Sequence, residues 1–214
     1  MVGEWTPSTP LPSEIELAAH YSASVGTVRR AMDALEDALL ITRHQGRGTH
    51  IREWSLRIFF DRYYPLRSRD GTSVALEETI TKLKVSRLKA AEAAEFGMSE
   101  GDAVRRVSRV LMANGSSVIS EEAVLPCSVF PNTSSTANEG SLFALSLSAG
   151  VALGRASTRV FGVGMQQGHT LEYERIIYTI EGAVAEIATG CVTIPSGYYL
   201  ESFLGGEEAL RALA

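Results

Sequence analysis

Arginines, small polar side chains and glycines near the N-terminus have the types and the spacing of a surface that contacts nucleic acid. Guanidinium groups bind phosphates and guanine edges, hydroxyl groups donate to phosphate oxygens, and glycines let a backbone approach closely. One set of these residues precedes residue 31, and a second lies between residues 45 and 49. The candidate DNA-binding residues are Ser13, Ser24, Gly26, Thr27, Arg29, Arg30, Gln45, Gly46, Arg47, Gly48 and Thr49.

Two short helices and a hairpin must position these residues. Ser13 and Glu16 have the spacing of a capping box, and Ser24 is a second N-cap candidate. Residues 40–43 and 49–51 are predicted to pair across a glycine-rich tip. This order predicts a helix-turn-helix followed by a wing, with the second helix entering the major groove. The apolar stripe predicted on that helix consists of Val28, Ala31, Met32, Leu35 and Leu39.

Three motifs in this segment resemble the winged-helix domain of GntR-type bacterial transcription regulators. They are LPSE at the start, S-x-x-TVRRA in the second helix and RxQGRGT in the wing. The resemblance implies binding to a double-stranded DNA operator. Ile15 and Val25 stand where the family usually has DNA-contacting arginines, and residues 1–10 leave no room for the family's first helix. The alternative is a small helical module whose arginines are merely solvated.

Composition bounds the class of protein. The 214-residue chain has a net charge of −5, so any DNA affinity must come from where its arginines lie. No apolar run approaches the roughly 20 residues that span a bilayer, and the N-terminus lacks a signal-peptide pattern. Cys127 and Cys191 are far apart, which predicts free thiols in a reducing cytosol. We therefore expect a cytoplasmic protein without a membrane partner.

The chain after residue 52 mixes predicted strands and helices. Residues 52–69 show no clear period, whereas Asn114-Gly115 is a strong hairpin turn. We expect an α+β fold, with a winged helix-turn-helix over residues 1–52 and an antiparallel-sheet domain over residues 53–214. The predicted helices are residues 87–96, 141–148 and 181–189, and residues 131–140 form a loop. The predicted strands are residues 74–85, 103–112, 118–125, 151–163, 170–180 and 198–203.

This second part resembles the UTRA effector-binding domain of the HutC subgroup, which shares its fold with chorismate lyase. The matching pieces include FGMSEGDAVRRVSRV, the Asn-Gly turn and GHTLEYERIIY. The stretch between Arg159 and Gly168 is shorter than the family pattern, which implies that part of the UTRA domain is missing. The resemblance implies that a small-molecule effector is bound by Arg109, Glu121, Ser157, Glu172 and Tyr178.

No catalytic or metal-binding constellation emerges from the residues. Histidines are not paired with a credible nucleophile, and no C-x-x-C or H-x-x-x-H spacing occurs. Two carboxylate pairs can be interpreted as acid–base pairs or as edge charges on exposed strands. They are Glu121-Glu122 and Glu172/Glu174. A chorismate-lyase-like enzyme is therefore an alternative, but we expect no enzyme, no cofactor and no metal.

The function that these observations favour is a DNA-binding transcription regulator, most simply a repressor, whose operator binding is controlled by an effector in the C-terminal domain. A homodimer is expected, because helix-turn-helix proteins usually read two half-sites about one helical turn apart. A further alternative is a truncated regulator that acts only as a dimerisation partner. The missing first helix and the two lost arginines favour that alternative.

Overall fold

The protein consists of two units with separate cores. The computed structural model describes residues 5–37, 40–131, 140–165 and 169–200. Contacts within the chain divide it into Met1–Arg62 and Tyr63–Ala214. The division falls at the end of a helix in the region where the sequence shows no clear period. None of the helices among the described residues is long and apolar enough to cross a membrane.

Five helices and ten strands are described. The helices are α1 (Glu14–His20), α2 (Val25–Asp37), α3 (Leu56–Tyr63), α4 (Ala90–Phe96) and α5 (Leu142–Ala149). The strands are β1 (Ile41–His44), β2 (Gly48–Ile51), β3 (Leu66–Ser68), β4 (Glu77–Arg87), β5 (Ala103–Ala113), β6 (Ser116–Pro126), β7 (Leu153–Met165), β8 (His169–Thr179), β9 (Val184–Ile194) and β10 (Tyr198–Leu200).

Local capping begins the first unit as predicted. The Ser13 backbone N–H donates to the Glu16 carboxylate at 2.8 Å, and the Glu16 backbone N–H donates to the Ser13 hydroxyl at 3.3 Å. This reciprocal pair is the predicted capping box, and it starts α1. The strands β1 and β2 pair antiparallel from Ile41↔Ile51 to His44↔Gly48. The helix-turn-helix and its wing are therefore confirmed.

The core of this unit is narrower than the predicted stripe. Val28 and Met32 of α2 are buried, but Ala31 and Leu35 are exposed. Leu39 lies outside the described residues. The stripe was too wide because the helices of this small unit leave only one edge of α2 facing the core. The buried cluster consists of Leu17, Ala18, Val28, Met32 and Ile41, with Trp5, Leu11 and Ala23 packed against it.

The second unit is built on a six-stranded sheet in the order β4-β5-β6-β9-β8-β7, with β3 and β10 paired separately. Every pairing in both sheets is antiparallel. The hairpin between β5 and β6 turns at Asn114 and Gly115, whose φ angles of 49° and 77° match the primed turns that suit a twisted hairpin. The expected α+β fold with an antiparallel sheet is confirmed.

Strand alternation divides the central sheet into two faces. We call inner the face that includes Val107, Leu111, Ala123 and Ile177, all of them at most 1% exposed. The outer face carries the alternate residues, and α4 packs on part of it. That contact is the cluster of Leu88, Ala93, Phe96, Val104 and Ile187.

Two predictions of secondary structure are corrected. Residues 181–189 were predicted as a helix but lie in a turn and in β9, where Glu186 and Ala188 face inward. Pairing with both β6 and β8 satisfies the backbone of this segment, which overrides its alanine-rich helix propensity. The aperiodic junction contains α3, which the sequence did not predict. Most of the loop predicted at 131–140, and the end of the strand predicted at 198–203, lie outside the described residues.

Gly190 in β9 lets three strands approach closely, because it is the cross-strand partner of both Glu121 and Tyr173. A Cβ there would lie 2.5 Å from the Ser120 carbonyl oxygen and 2.6 Å from the Glu121 Cβ. Gly190→Ala should therefore lower the free energy of unfolding by about 1–3 kcal/mol, measured by urea denaturation. The exposed neighbour is the control: Thr189→Ala should change it by less than about 0.5 kcal/mol. Equal stability of the two variants would contradict the packing argument.

Candidate functional site

The predicted DNA-binding residues of the first unit lie mostly on its surface. Ser24, Thr27, Arg29 and Arg30 are exposed at the N-terminal half of α2. The Ser24 hydroxyl accepts from the Thr27 backbone N–H at 3.1 Å, so it caps the helix that carries the arginines. This leaves the side of α2 that carries Arg29 and Arg30 open to a partner.

The wing presents the second set. Residues 45–48 are exposed, and Thr49 is half-buried. Gly46 and Gly48 adopt φ angles of +76° and +84°, a region that side-chain-bearing residues rarely adopt, so the tight tip requires glycine. The Arg47 backbone N–H donates to the His44 carbonyl at 3.0 Å and closes the turn. The Arg47 side chain therefore projects from a short, well-defined tip.

Ion pairs distinguish four arginines of this unit: Arg29 and Arg43 are paired with carboxylates, and Arg30 and Arg47 are not. Arg43 lies 2.7 Å from both the Asp33 and the Glu36 carboxylates, so it joins β1 to α2 through two ion pairs. Arg29 donates from Nε to Glu14 at 2.9 Å. Arg30 and Arg47 form no ion pair with any residue that the structure describes, and remain available for phosphates.

The five predicted effector contacts do not lie together. Arg109 and Glu121 are cross-strand partners on the inner face, and both are buried. Ser157 and Glu172 are exposed, and alternation in β7 and β8 puts them on the outer face. Tyr178 is also on the outer face, where the Arg155 guanidinium lies 4.0 Å from its ring centre. The sheet separates the Arg109 side chain from Ser157 and Tyr178, whereas Glu121 and Glu172 both line an open cavity over β6, β8 and β9.

Arg109 and Glu121 belong to a larger cluster that the sequence analysis missed. We call it the inner-face ion network. Arg109 Nη2 donates to Glu186 Oε1 at 2.7 Å, and its Nε donates to Glu121. Arg175 Nη2 lies 3.1 Å from Glu121 Oε2 and 3.3 Å from Glu186 Oε1. The network consists of Glu78, Arg109, Glu121, Arg175 and Glu186, with Tyr64 and Tyr173.

The two tyrosines complete the network. Tyr64, which follows α3, donates to Glu121 Oε1 at 2.5 Å, and Tyr173 donates to Glu121 Oε2. The Arg175 guanidinium lies 4.0 Å above the Tyr64 ring. The alternation of Tyr173, Arg175 and Ile177 along β8 is the sequence signal that could have placed Arg175 with the inner face.

Electrostatics decide the charge state of this network. Burial alone would raise the pKa of Glu121, but Arg109 and Arg175, with hydrogen bonds from Tyr173 and Tyr64, lower that pKa to about 2. Burial raises the pKa of Glu78, although Arg109 opposes the shift. Burial also raises the pKa of Tyr64 well above its usual value. Glu121 is therefore ionised, and the Arg109 guanidinium is already occupied by carboxylates of the protein.

We find no group of side chains suited to bind a metal ion among the described residues. Within residues 5–37, 40–131, 140–165 and 169–200, no three histidines, cysteines, aspartates or glutamates are grouped to hold an ion. Cys127 and Cys191 are both free thiols. The chemistry that the inner-face network offers is hydrogen bonding and charge pairing.

Glu121→Gln should lower the free energy of unfolding by about 3–5 kcal/mol at pH 7, because it leaves Arg109 and Arg175 short of a counter-charge. The folded pKa of Glu121 is about 2, below the ordinary 4.5. Its stabilising contribution is therefore complete above the higher value and is lost as pH falls toward the lower one. Urea denaturation at pH 7, 4 and 3 should show that the difference in free energy of unfolding between wild type and variant becomes smaller as the pH falls.

The matched control for this comparison is Glu174→Gln on β8 of the same sheet. Glu174 lies 3.5 Å from Arg159, whose side chain is 69% exposed. Such exposed pairs contribute only about 0–1 kcal/mol. A pH-independent gap for Glu121→Gln, or an equal cost for the two variants, would contradict the charge assignment.

Comparison with known proteins identifies both units. Residues 1–51 match the family described as bacterial regulatory proteins, gntR family. Residues 73–170 match the UTRA domain. The matched segments coincide with the winged helix-turn-helix and with most of the six-stranded sheet.

Solved structures share the fold. YydK from Bacillus subtilis, assigned as a transcriptional regulator, is 16% identical, with a TM-score of 0.55 over 86% of each chain. The ligand-binding domain of a protein assigned as a GntR-family transcriptional regulator from Bordetella bronchiseptica is 21% identical, with a TM-score of 0.57. That match covers 67% of this chain and 98% of the Bordetella chain. These likenesses concern the fold, and the family matches identify two segments: the chain joins a gntR-family segment of bacterial regulatory proteins at residues 1–51 to a UTRA domain at residues 73–170.

Proposed function

We propose that the protein is a repressor of the HutC subgroup, whose operator binding is controlled by a small molecule bound to the UTRA domain. The observation that carries the proposal is the set of exposed arginines on α2 and the wing. Arg30 and Arg47 have no ion-pair partner among the described residues, and Arg29 is 63% exposed. Arginines on a recognition helix and a wing are suited to base edges and phosphates respectively.

Operator recognition by this unit requires two copies. One winged helix with so few uncommitted arginines buries little surface and neutralises few phosphates, so a single copy would bind weakly. We propose a homodimer joined through the C-terminal unit, which would present two recognition helices to half-sites about one helical turn apart. Light scattering at micromolar concentration should give the mass of two chains. A monomeric mass would refute the dimer.

The effector site that we propose is the inner-face ion network rather than the five residues that the family resemblance implies. Arg109 and Glu121 belong to both sets. Arg109 donates from Nε and Nη2 to Glu121 and Glu186, whereas its Nη1 lies 3.5 Å from Glu78 and makes no hydrogen bond with the described residues. An effector that reaches Arg109 must therefore offer hydrogen-bond acceptors of its own. A small polar metabolite, such as a polyol, a sugar phosphate or an amino-acid-like molecule, meets this requirement.

Control by an effector requires differential affinity. A ligand shifts the balance between DNA-competent and released forms only if it binds one form more tightly. The network includes Tyr64, and Arg175 Nη1 donates to the Tyr63 carbonyl at 3.2 Å. Replacing contacts of Glu121 or Arg175 would therefore alter contacts of Tyr63, the last residue of α3, and of Tyr64 directly after it. This supports a link between ligand binding and conformation.

The test of the proposed function is a gel shift with DNA flanking the protein's own gene, with and without candidate metabolites. We expect a retarded complex that a metabolite releases. Absence of any complex would leave only the dimerisation-partner function, whereas a complex that no metabolite changes would refute effector control. Thermal shift of the same protein with each metabolite reports binding independently of DNA.

Two arginine variants separate base reading from phosphate binding. Arg29→Ala should weaken binding to the operator by about 1–3 kcal/mol while changing binding to unrelated DNA little, because we assign it a base edge. Arg47→Ala should weaken binding to both DNAs about equally and flatten the salt dependence, because we assign it a phosphate. Fluorescence anisotropy at several salt concentrations measures both effects. Identical behaviour of the two variants would contradict the assignment.

A further inference from the structure

We propose that Glu14 is a positioning residue for DNA recognition: it holds the Arg29 guanidinium so that its two terminal amino groups face a base edge. This inference rests on the proposed function, since it assumes that Arg29 reads a base. Glu14 is the first residue of α1, and Arg29 lies in α2. The pair therefore joins the two helices of the helix-turn-helix.

The geometry of the pair leaves the reading edge of Arg29 open. Arg29 Nε donates to Glu14 Oε2 at 2.9 Å. Within the described part of the chain, neither Nη1 nor Nη2 of Arg29 makes a hydrogen bond. Guanine is read by a guanidinium that donates two parallel hydrogen bonds to O6 and N7. A carboxylate on Nε is compatible with that contact, because it occupies a donor that the two terminal groups do not need.

Glu14 is itself held in place. Its side chain is only 27% exposed, and its Oε1 lies 3.8 Å from Arg43 Nη2. Arg43 is fixed in turn by Asp33 and Glu36, each at 2.7 Å. The chain of contacts runs from β1 through Glu14 to Arg29, so the recognition arginine is connected to the folded core.

Such an arrangement contributes specificity more than affinity. A free arginine loses rotamer freedom on binding, and the contact with Glu14 already restricts the Arg29 side chain before DNA arrives. The same carboxylate repels phosphates, which weakens binding to any sequence equally. Removing Glu14 should therefore lower the ratio of operator to unrelated-DNA affinity if Glu14 positions Arg29, and should leave that ratio unchanged if Glu14 only repels phosphates.

The experiment measures that ratio by fluorescence anisotropy, with the full-length protein and two duplexes. One duplex is selected by the wild-type protein from a random pool, and the other is a shuffled sequence of the same composition. Glu14→Ala should lower the ratio about tenfold, within the range that one bidentate base contact supplies. Glu14→Gln, which retains an acceptor for Nε, should keep the ratio within about threefold of wild type.

Two controls distinguish positioning from a loss of charge or of folding. Glu53→Ala removes one negative charge from the same unit, and Glu53 is exposed and forms no ion pair with any residue that the structure describes, so the ratio should stay unchanged. In an Arg29→Ala background, Glu14→Ala should have no further effect on the ratio, whereas a general structural defect would lower it again.

An unchanged ratio for Glu14→Ala, or the same loss with and without Arg29, would overturn the positioning role while leaving DNA binding intact. A wild-type protein that selects no sequence from the pool would overturn the proposed function as well. The two failures are therefore distinguishable.

Discussion

Two buried arginines constrain the C-terminal unit more than any other interaction. Arg109 and Arg175 are 1% and 3% exposed, and a guanidinium removed from water must meet carboxylates and hydrogen-bond acceptors. Glu121 contacts both arginines, which requires that β5, β6 and β8 lie in one register on the inner face. Gly190 opposite Glu121 provides the space that this arrangement needs.

The need to satisfy these buried charges also connects the first residues of the C-terminal unit to the sheet. Tyr64 donates to Glu121, and Tyr63 donates to the Gly154 carbonyl at 2.8 Å. Removing one buried charge therefore affects strands that are distant in sequence as well as the residues after α3. A site assembled in this way is sensitive to any molecule that competes with its carboxylates for the two arginines, which is the physical basis for proposing effector control here.

The N-terminal unit uses the same residue types under the opposite conditions. Its ion pairs lie near water, where salt screens them and each contributes little to stability. Glu14 and Arg43 there serve geometry rather than burial. Arg30 and Arg47, which form no ion pair with the described residues, stay solvated until a polyanion replaces the water, whereas Arg29 is held by Glu14 with its terminal amino groups open.

Local patterns in the sequence are sufficient to predict the helix-turn-helix, the wing, the Asn114-Gly115 hairpin and the antiparallel α+β class. Caps, glycine turns and apolar periodicity are local signals, and they act before distant residues meet. The two wrong predictions of secondary structure also come from relying on local signals. Helix α3 was missed because it lacks a clear period, and most of β9 was predicted as a helix from its composition although it pairs with two strands.

Which side chains share a face of the sheet, and which ones contact each other, depends on the tertiary fold. Ser157, Glu172 and Tyr178 are plausible ligand contacts by resemblance, yet strand alternation puts them across the sheet from Arg109 and Glu121. Arg175 and Glu186 are ordinary strand residues in the sequence, and they become functional candidates because β9 lies between β6 and β8. The charge of a side chain can be predicted from its residue type. Its burial and its counter-charge depend on pairings between strands that are far apart in the chain.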